Sequence, residues 1–488
     1  MTDIDTVKNF LRSPGKTDRA DLINALEIMN LSLEGPNGAQ KAQTILAAIP
    51  IPELFTLLGN YEDVVSLATC KVLNKLLRPM SYADINSSGL QEYLMLGLQH
   101  EVPEVRILTL NQIEKCQESE EAIQDLVKSP LFPAMLESLG FDDTLTSTRI
   151  LELLVKLVTT SSYCFQVFFD PESIAILNRL SKGDGIVKFR VFDLMARISL
   201  SSPEAFQLCE SSGSLEAITS ELKSDDLLIK LNAIETLSKI IQSRISYSFF
   251  EKAGILQFFV DILSKDDDQD ITLVLEKCSV LKFFGKLCEV EDIDFSEVED
   301  KYKILRQIDA HLLSDHVDLK FTDVLNLYGL KITSIHIIGV IGHKEYGLKL
   351  LYSSVSPNLL GDFMDLYHSS SGDVKLACLQ TISCLLGVRR GVEEFRMISF
   401  TILQKMAFHP WGKTEMVNCK EFIDYIIDRS NESTHKGKEW KFTIIQTLYE
   451  SPNSETIIAP NILEQFRRYL HEGPFYVKSK TAVALENA

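Results

Sequence analysis

Along this chain the apolar positions advance in helical steps, and the steps recur. Val187, Val191, Leu194, Met195 and Ile198 are spaced by threes and fours, and Ile229, Ala233, Leu237, Ile240 and Ile241 repeat the pattern one unit later. Such spacing puts the side chains on one stripe of an α-helix, the stripe that a helix buries. Val105, Leu108, Leu110 and Ile113 fill the same slot, as does the Val64 to Leu77 segment one unit before them. A shorter stripe precedes the long one: Leu215, Ile218 and Leu222 in one unit, and Ile255, Leu256, Phe259 and Leu263 in the next. Polar breaks, Ser181 to Gly185 and Lys223 to Asp226, separate short stripe from long.

The short stripes open at Gly89, Pro130, Pro171, Gly213 and Gly254, at intervals of 41, 41, 42 and 41 residues. Glycine tolerates dihedrals that a helix forbids and proline lacks an amide hydrogen, so each marker ends one helix where another begins. A unit of three unequal helices with a period near forty residues indicates armadillo or HEAT repeats. One such unit cannot bury its own apolar faces and must stack on its neighbours. The expected fold is an all-α, armadillo/HEAT-like α-solenoid, a right-handed superhelix of roughly 40-residue repeats.

A single array is expected over 1–488, with amino-terminal capping helices at 1–60 and regular repeats at 61–264. The next clear match, Pro357 followed by Val374, Cys378, Ile382 and Leu385, lies 103 residues beyond Gly254. That interval is about two and a half periods. The segment 265–344 is therefore expected to be irregular, with an acidic loop at 289–300. Carboxyl-terminal repeats and a cap follow at 345–478, and a disordered tail at 479–488.

Composition fits a repeat core, with 45% apolar and 24% charged residues. The net charge of −19 argues against a nucleic-acid backbone as the main partner, which would need clustered Lys and Arg. No hydrophobic segment follows Met1 to Asp5, and the apolar run Ile335 to Ile341 is short and contains His336. The chain is expected to be neither secreted nor membrane-spanning, but cytoplasmic, with the nucleus open to it. Nine scattered cysteines form no Cys-x-x-Cys pair, and Cys70, Cys164, Cys278 and Cys378 fall at helix-interior positions. They are expected to be buried thiols of a reducing compartment.

Catalytic constellations fail on spacing. His311 and His316 are five apart and His336 and His343 seven apart, whereas a helical zinc pair needs four. Gly412-Lys413-Thr414 resembles the end of a phosphate loop, but the required earlier glycine is Ala407, and a turn after Pro410 and Trp411 is expected instead. Ser13 and Lys16 share the Ser-x-x-Lys spacing with no companion motif. The sequence predicts no enzyme, no cofactor and no metal site.

Several carboxyl-terminal words are unusual: His409-Pro410-Trp411, then Met416, Asn418 and Glu421 to Ser430, and Tyr469 to Lys478. With Glu104 to Leu110 and Gly185 to Val191, they resemble the 26S proteasome non-ATPase regulatory subunit 5 family, a family of proteasome base assembly chaperones. The resemblance runs through nearly the whole chain in order. It implies a chaperone for the regulatory-particle base of the 19S particle that binds the carboxyl-terminal part of a base AAA ATPase subunit, associates with a base scaffold subunit, and is absent from the mature 26S proteasome. The chain is expected to be a monomer when free, and its charge and hydropathy give no expectation of a nucleic-acid or membrane partner. Repetition alone is equally compatible with a generic armadillo/HEAT adaptor that scaffolds another multi-subunit complex.

In armadillo-like arrays the long third helices line the concave side. Their positions outside the buried stripe, Arg106, Asn111, Lys188, Arg190, Lys230 and Asn232, are the candidate partner contacts. Gly473-Pro474-Phe475-Tyr476 is read either as an aromatic cap folded on the last helices or as a docking tail.

Overall fold

Ser81, Ser119, Ser161 and Ser202 each stand just before a helix and accept a hydrogen bond from the backbone three residues on, at 3.0–3.2 Å. Asp143, Asp184 and Asp226 do the same work for another set of helices, through the amides of Leu145, Gly185 and Leu228. A short polar side chain satisfies one of the amides that a helix start leaves without a partner. In a computed structural model of the chain, these caps set the rhythm. From Tyr82 to Ile240 each repeat opens its first helix on serine and its third on aspartate, with a second helix between them at the glycine or proline marker. The exception in this stretch is the helix Pro103–Ile113, which begins with proline at its first position and has no side-chain cap.

The structure describes residues 3–13, 18–59, 63–265, 270–313, 321–353, 358–386 and 393–476. Among them every regular element is helical. Contacts divide the chain into two units, Met1–Phe249 and Phe250–Ala488. In the first, the helices group in threes: Tyr82–Ser87, Gln91–Leu98 and Pro103–Ile113; Glu120–Lys128, Leu131–Glu137 and Thr144–Thr160; Ser162–Phe168, Pro171–Leu180 and Gly185–Ser199; Pro203–Ser211, Ser214–Ser220 and Leu227–Ile240. Third helices lie beside third helices of neighbouring repeats, from Asp63–Leu77 to Leu227–Ile240. The stripe residues fill the space between them. Leu108, Leu110, Ile113, Leu194, Met195, Ile198, Leu237 and Ile240 are all fully buried.

The second unit corrects the expectation of an irregular segment at 265–344. Its helices Phe295–Tyr302, Ile304–Leu313 and Phe321–Gly342 form another triplet, followed by Glu345–Ser353, Leu359–Ser369 and Gly372–Leu386. The expected acidic loop at 289–300 is a short connection leading into the first of these helices. The connection buries Val290 and Ile293 and the helix buries Phe295 and Val298, while Glu291, Asp292, Asp294, Glu297 and Asp300 face outward and Glu299 turns in to accept the Leu305 amide at 2.9 Å. The period lengthens, and longer third helices contribute to it: Ile271–Glu289 has 19 residues and Phe321–Gly342 has 22, against 17 in Thr144–Thr160 and 15 in Gly185–Ser199. Between Phe295–Tyr302 and Ile304–Leu313, the left-handed residue that elsewhere is Gly89, Gly213 or Gly254 is Lys303, at φ 53°. Pro357 and the tail 479–488 lie outside the described residues.

The unit closes with Glu393–Phe408 packed on His435–Glu450, and with Pro460–Glu472 laid over the latter. Ile426, Ile444, Ile445, Leu448 and Phe466 form the core of this end.

Candidate partner-binding surface

Two of the six candidate contacts are tied to backbone carbonyls, and of these Arg106 is buried and Arg190 half-buried. The Arg106 guanidinium donates to the carbonyls of His100 and Glu101, the latter at 3.0 Å, pairs with Asp143 at 3.0 Å, and lies 5.6 Å from the centre of the Phe141 ring. Burial pushes the Asp143 carboxyl up, but hydrogen bonds from Thr146 and Arg106 outweigh it and hold the group below its ordinary value. Arg190 donates from Nη1 to the carbonyls of Leu139 and Phe141, at 3.1 and 2.5 Å. Both arginines serve carbonyls just after a second helix, where the backbone has acceptors and no donors of its own. Arg106 is thus withdrawn as a partner contact. Spacing located it on a third helix but could not show that its charge is spent on the neighbouring backbone.

The other four stay nearer the surface. Asn111 bridges repeats, donating to Asn74 at 3.2 Å and accepting from Arg149 at 2.9 Å. Lys188 is paired with Glu221 at 2.9 Å, with both side chains less than a fifth exposed. Lys230 is half-buried and has internal interactions, and Asn232 is exposed.

The structure brings Arg190 and Asn232 into one groove of about 550 Å³, between the helices Thr144–Thr160, Gly185–Ser199 and Leu227–Ile240. Leu151 and Phe189 line it below, and Ile186 and Leu228 stand at its mouth. These last two are 65% and 70% exposed, and Leu145, in the equivalent place on the preceding repeat, is 58% exposed. Sequence reasoning missed this row, because it scored apolar residues as core. The available signal was an aliphatic residue off the buried stripe, two positions after the aspartate cap, in three successive repeats.

A second exposed feature lies on the other unit. Trp411 and Phe408 are each about 60% exposed, and His409 between them stacks on the Trp411 ring at 6.3 Å. The nearby Lys413 is buried. It donates from Nζ to the Pro452 carbonyl at 2.5 Å and to Ser454 Oγ at 3.1 Å, inside the helix Pro410–Asn418. The expected turn there is the start of a helix, and its lysine ties down a neighbouring loop. Lys441 is similarly engaged, by the Tyr425 and Asp428 carbonyls and Asn431, and burial pushes its pKa down to about 8. Phe475 folds back on His435 with ring centres 4.6 Å apart, while Arg429 donates to the Gly473 carbonyl at 2.6 Å. The segment Gly473 to Tyr476 therefore lies against the last helices, in the manner of a cap.

Among the described residues, no group of three or more His, Cys, Asp or Glu side chains could hold a metal, and no single helix is long and apolar enough to cross a membrane. All nine cysteines are unbridged, but Cys384 and Cys419 are exposed, which corrects the expectation that the thiols are buried. Burial pushes Cys70, Cys116, Cys164 and Cys209 up to about 12.

Stacked three-helix repeats with a groove along their third helices define a protein of the armadillo/HEAT solenoid class. A chain from the structure of Kap95p with RanGDP shares the fold, with a TM-score of 0.50 at 12% identity, over 94% of this chain and 56% of that one. The model of the family described as proteasome non-ATPase 26S subunit matches residues 15–392 and 387–488, and the chain belongs to that family. It is similar to 26S proteasome non-ATPase regulatory subunit 5 of Homo sapiens, with 24% identity over 93% of this chain and 97% of the relative. The protein of the same name from Drosophila melanogaster is 21% identical over 87% and 85% of the two chains.

Proposed function

We propose that this chain is a chaperone for assembly of the proteasome regulatory-particle base. It binds a base ATPase subunit through that subunit's carboxyl-terminal domain and is absent from the mature 26S proteasome. Membership of a proteasome subunit family over nearly the whole chain is the observation that carries this reading. The fold suits it, since a solenoid offers a long surface that holds a small domain through many modest contacts. The chain acts by occupancy and carries out no chemistry of its own, as a cytoplasmic protein that also has access to the nucleus. Release follows when the next assembly partner claims the same surface.

The test is capture by the purified full-length chain of each base ATPase subunit separately, alongside assembled 26S proteasome. One ATPase subunit is expected to be retained and the assembled particle is not. Equal retention of both, or retention of no ATPase subunit, overturns the proposal.

A further inference from the structure

Leu145, Ile186 and Leu228 are the second residues of three successive third helices, 41 and 42 residues apart. Isolated exposed leucines are ordinary on any surface, but three in register on neighbouring packed helices, each more than half exposed, form an apolar row. The repeats do not need them for packing, because the stripe residues already fill the core. Aspartates border the row. Asp142, Asp184, Asp225 and Asp226 are exposed on the connections that lead into these helices, against the exposed cations Lys182 and Lys223. Within the groove, Glu152 makes a two-point pair with Arg197 at 2.6 and 2.7 Å, Asp193 lies 3.7 Å from Lys239, and the cation Arg190 is spent on backbone carbonyls, so the four aspartates still outnumber Lys182, Lys223 and Arg190 at the border.

From this row we infer a docking site for a basic amphipathic helix of the partner. Neighbouring packed helices stand about 8–10 Å apart, so three rungs span roughly 20 Å. A helix rising about 1.5 Å per residue covers that span with aliphatic side chains at i, i+7 and i+14. One of them enters the groove between Ile186 and Leu228, above Leu151 and Phe189. Lys or Arg residues on the flank of the same helix meet the aspartate border, which steers association and fixes register. An acidic border disfavours nucleic acid and anionic lipid alike, which leaves a protein segment as the occupant. The inference rests on the chaperone reading for one point only, that the helix belongs to a base ATPase subunit.

Binding of the full-length chain to each purified base ATPase subunit, measured for affinity and rates at several salt concentrations, tests this. The triple variant Leu145→Ser, Ile186→Ser, Leu228→Ser should keep its helicity and melting temperature, since all three side chains are exposed, and should bind at least tenfold more weakly. The double variant Asp142→Lys, Asp225→Lys should associate more slowly, with a flatter salt dependence, and it covers the case in which the serine variant folds poorly. If the unaltered chain captures an ATPase subunit and both variants capture it equally well, the docking row is overturned while the chaperone reading stands. If the unaltered chain captures none, both fall. Self-association of the unaltered chain that the serine variant abolishes would make a second copy the occupant, and also overturns the inference.

Discussion

Asp309 shows what a single carboxyl can do inside such an array. It is buried in Ile304–Leu313, close to Asp362 of Leu359–Ser369, and its Oδ1 has no hydrogen-bond partner among the described residues. Burial, and then the neighbouring Asp362 charge, push its pKa up to about 6. In the unfolded chain it titrates near ~3.9, so between these values the folded state holds the extra proton. Its contribution to stability is full below about pH 4 and is lost as pH rises through about 6. Asp309→Asn removes the charge and keeps a donor toward Asp362. The variant is expected to be more stable than the parent at pH 7.5, with the gap closing toward pH 4. Denaturant midpoints of both proteins across this range decide it, and a gap independent of pH counts against the assignment. At the same scale, sequence told less than it promised about Arg106 and Arg190. Their helical positions were legible, but the orphan carbonyls they serve belong to residues that come together only on folding.

At the scale of the element, punctuation carries the repeat. Gly213 sits at φ 77° between Pro203–Ser211 and Ser214–Ser220, and a Cβ added there would meet nothing within 4 Å. The cost of Gly213→Ala is therefore purely conformational. A left-handed L-residue is disfavoured by about 1–2 kcal/mol, and the melting temperature should fall accordingly. A neutral result would mean that the helix junction relaxes to another geometry. Glycine and proline made these junctions visible in the sequence, and the steps of three and four made the buried stripes visible. Lys303 hid the next junction, because nothing in a lysine announces a left-handed backbone. The longer third helices after Leu263 then displaced the phase by a distance that no fixed period anticipates. Ile186 and Leu228 were hidden for the opposite reason, since an aliphatic residue near a buried stripe reads as part of it until exposure is known.

For the whole molecule, the two units carry different surfaces. Met1–Phe249 has the aliphatic row with its aspartates, and Phe250–Ala488 has the aromatic pair Phe408 and Trp411 and the folded-back Phe475. The thiols divide unevenly as well. Cys384 and Cys419, both in the second unit, are the exposed pair among nine, while the buried ones have pKa values pushed far above neutrality. A thiol reacts as its thiolate, so a maleimide dye at pH 7 should attach at these two positions and spare the rest. Peptide mapping of the labelled native chain checks the selectivity. Modification at Cys70 or Cys164 under native conditions would show that the repeats open on the labelling timescale. Both labels fall on the second unit and leave the side chains of the row on Thr144–Thr160, Gly185–Ser199 and Leu227–Ile240 unmodified, so they report partner release in real time without a tag or a designed mutation.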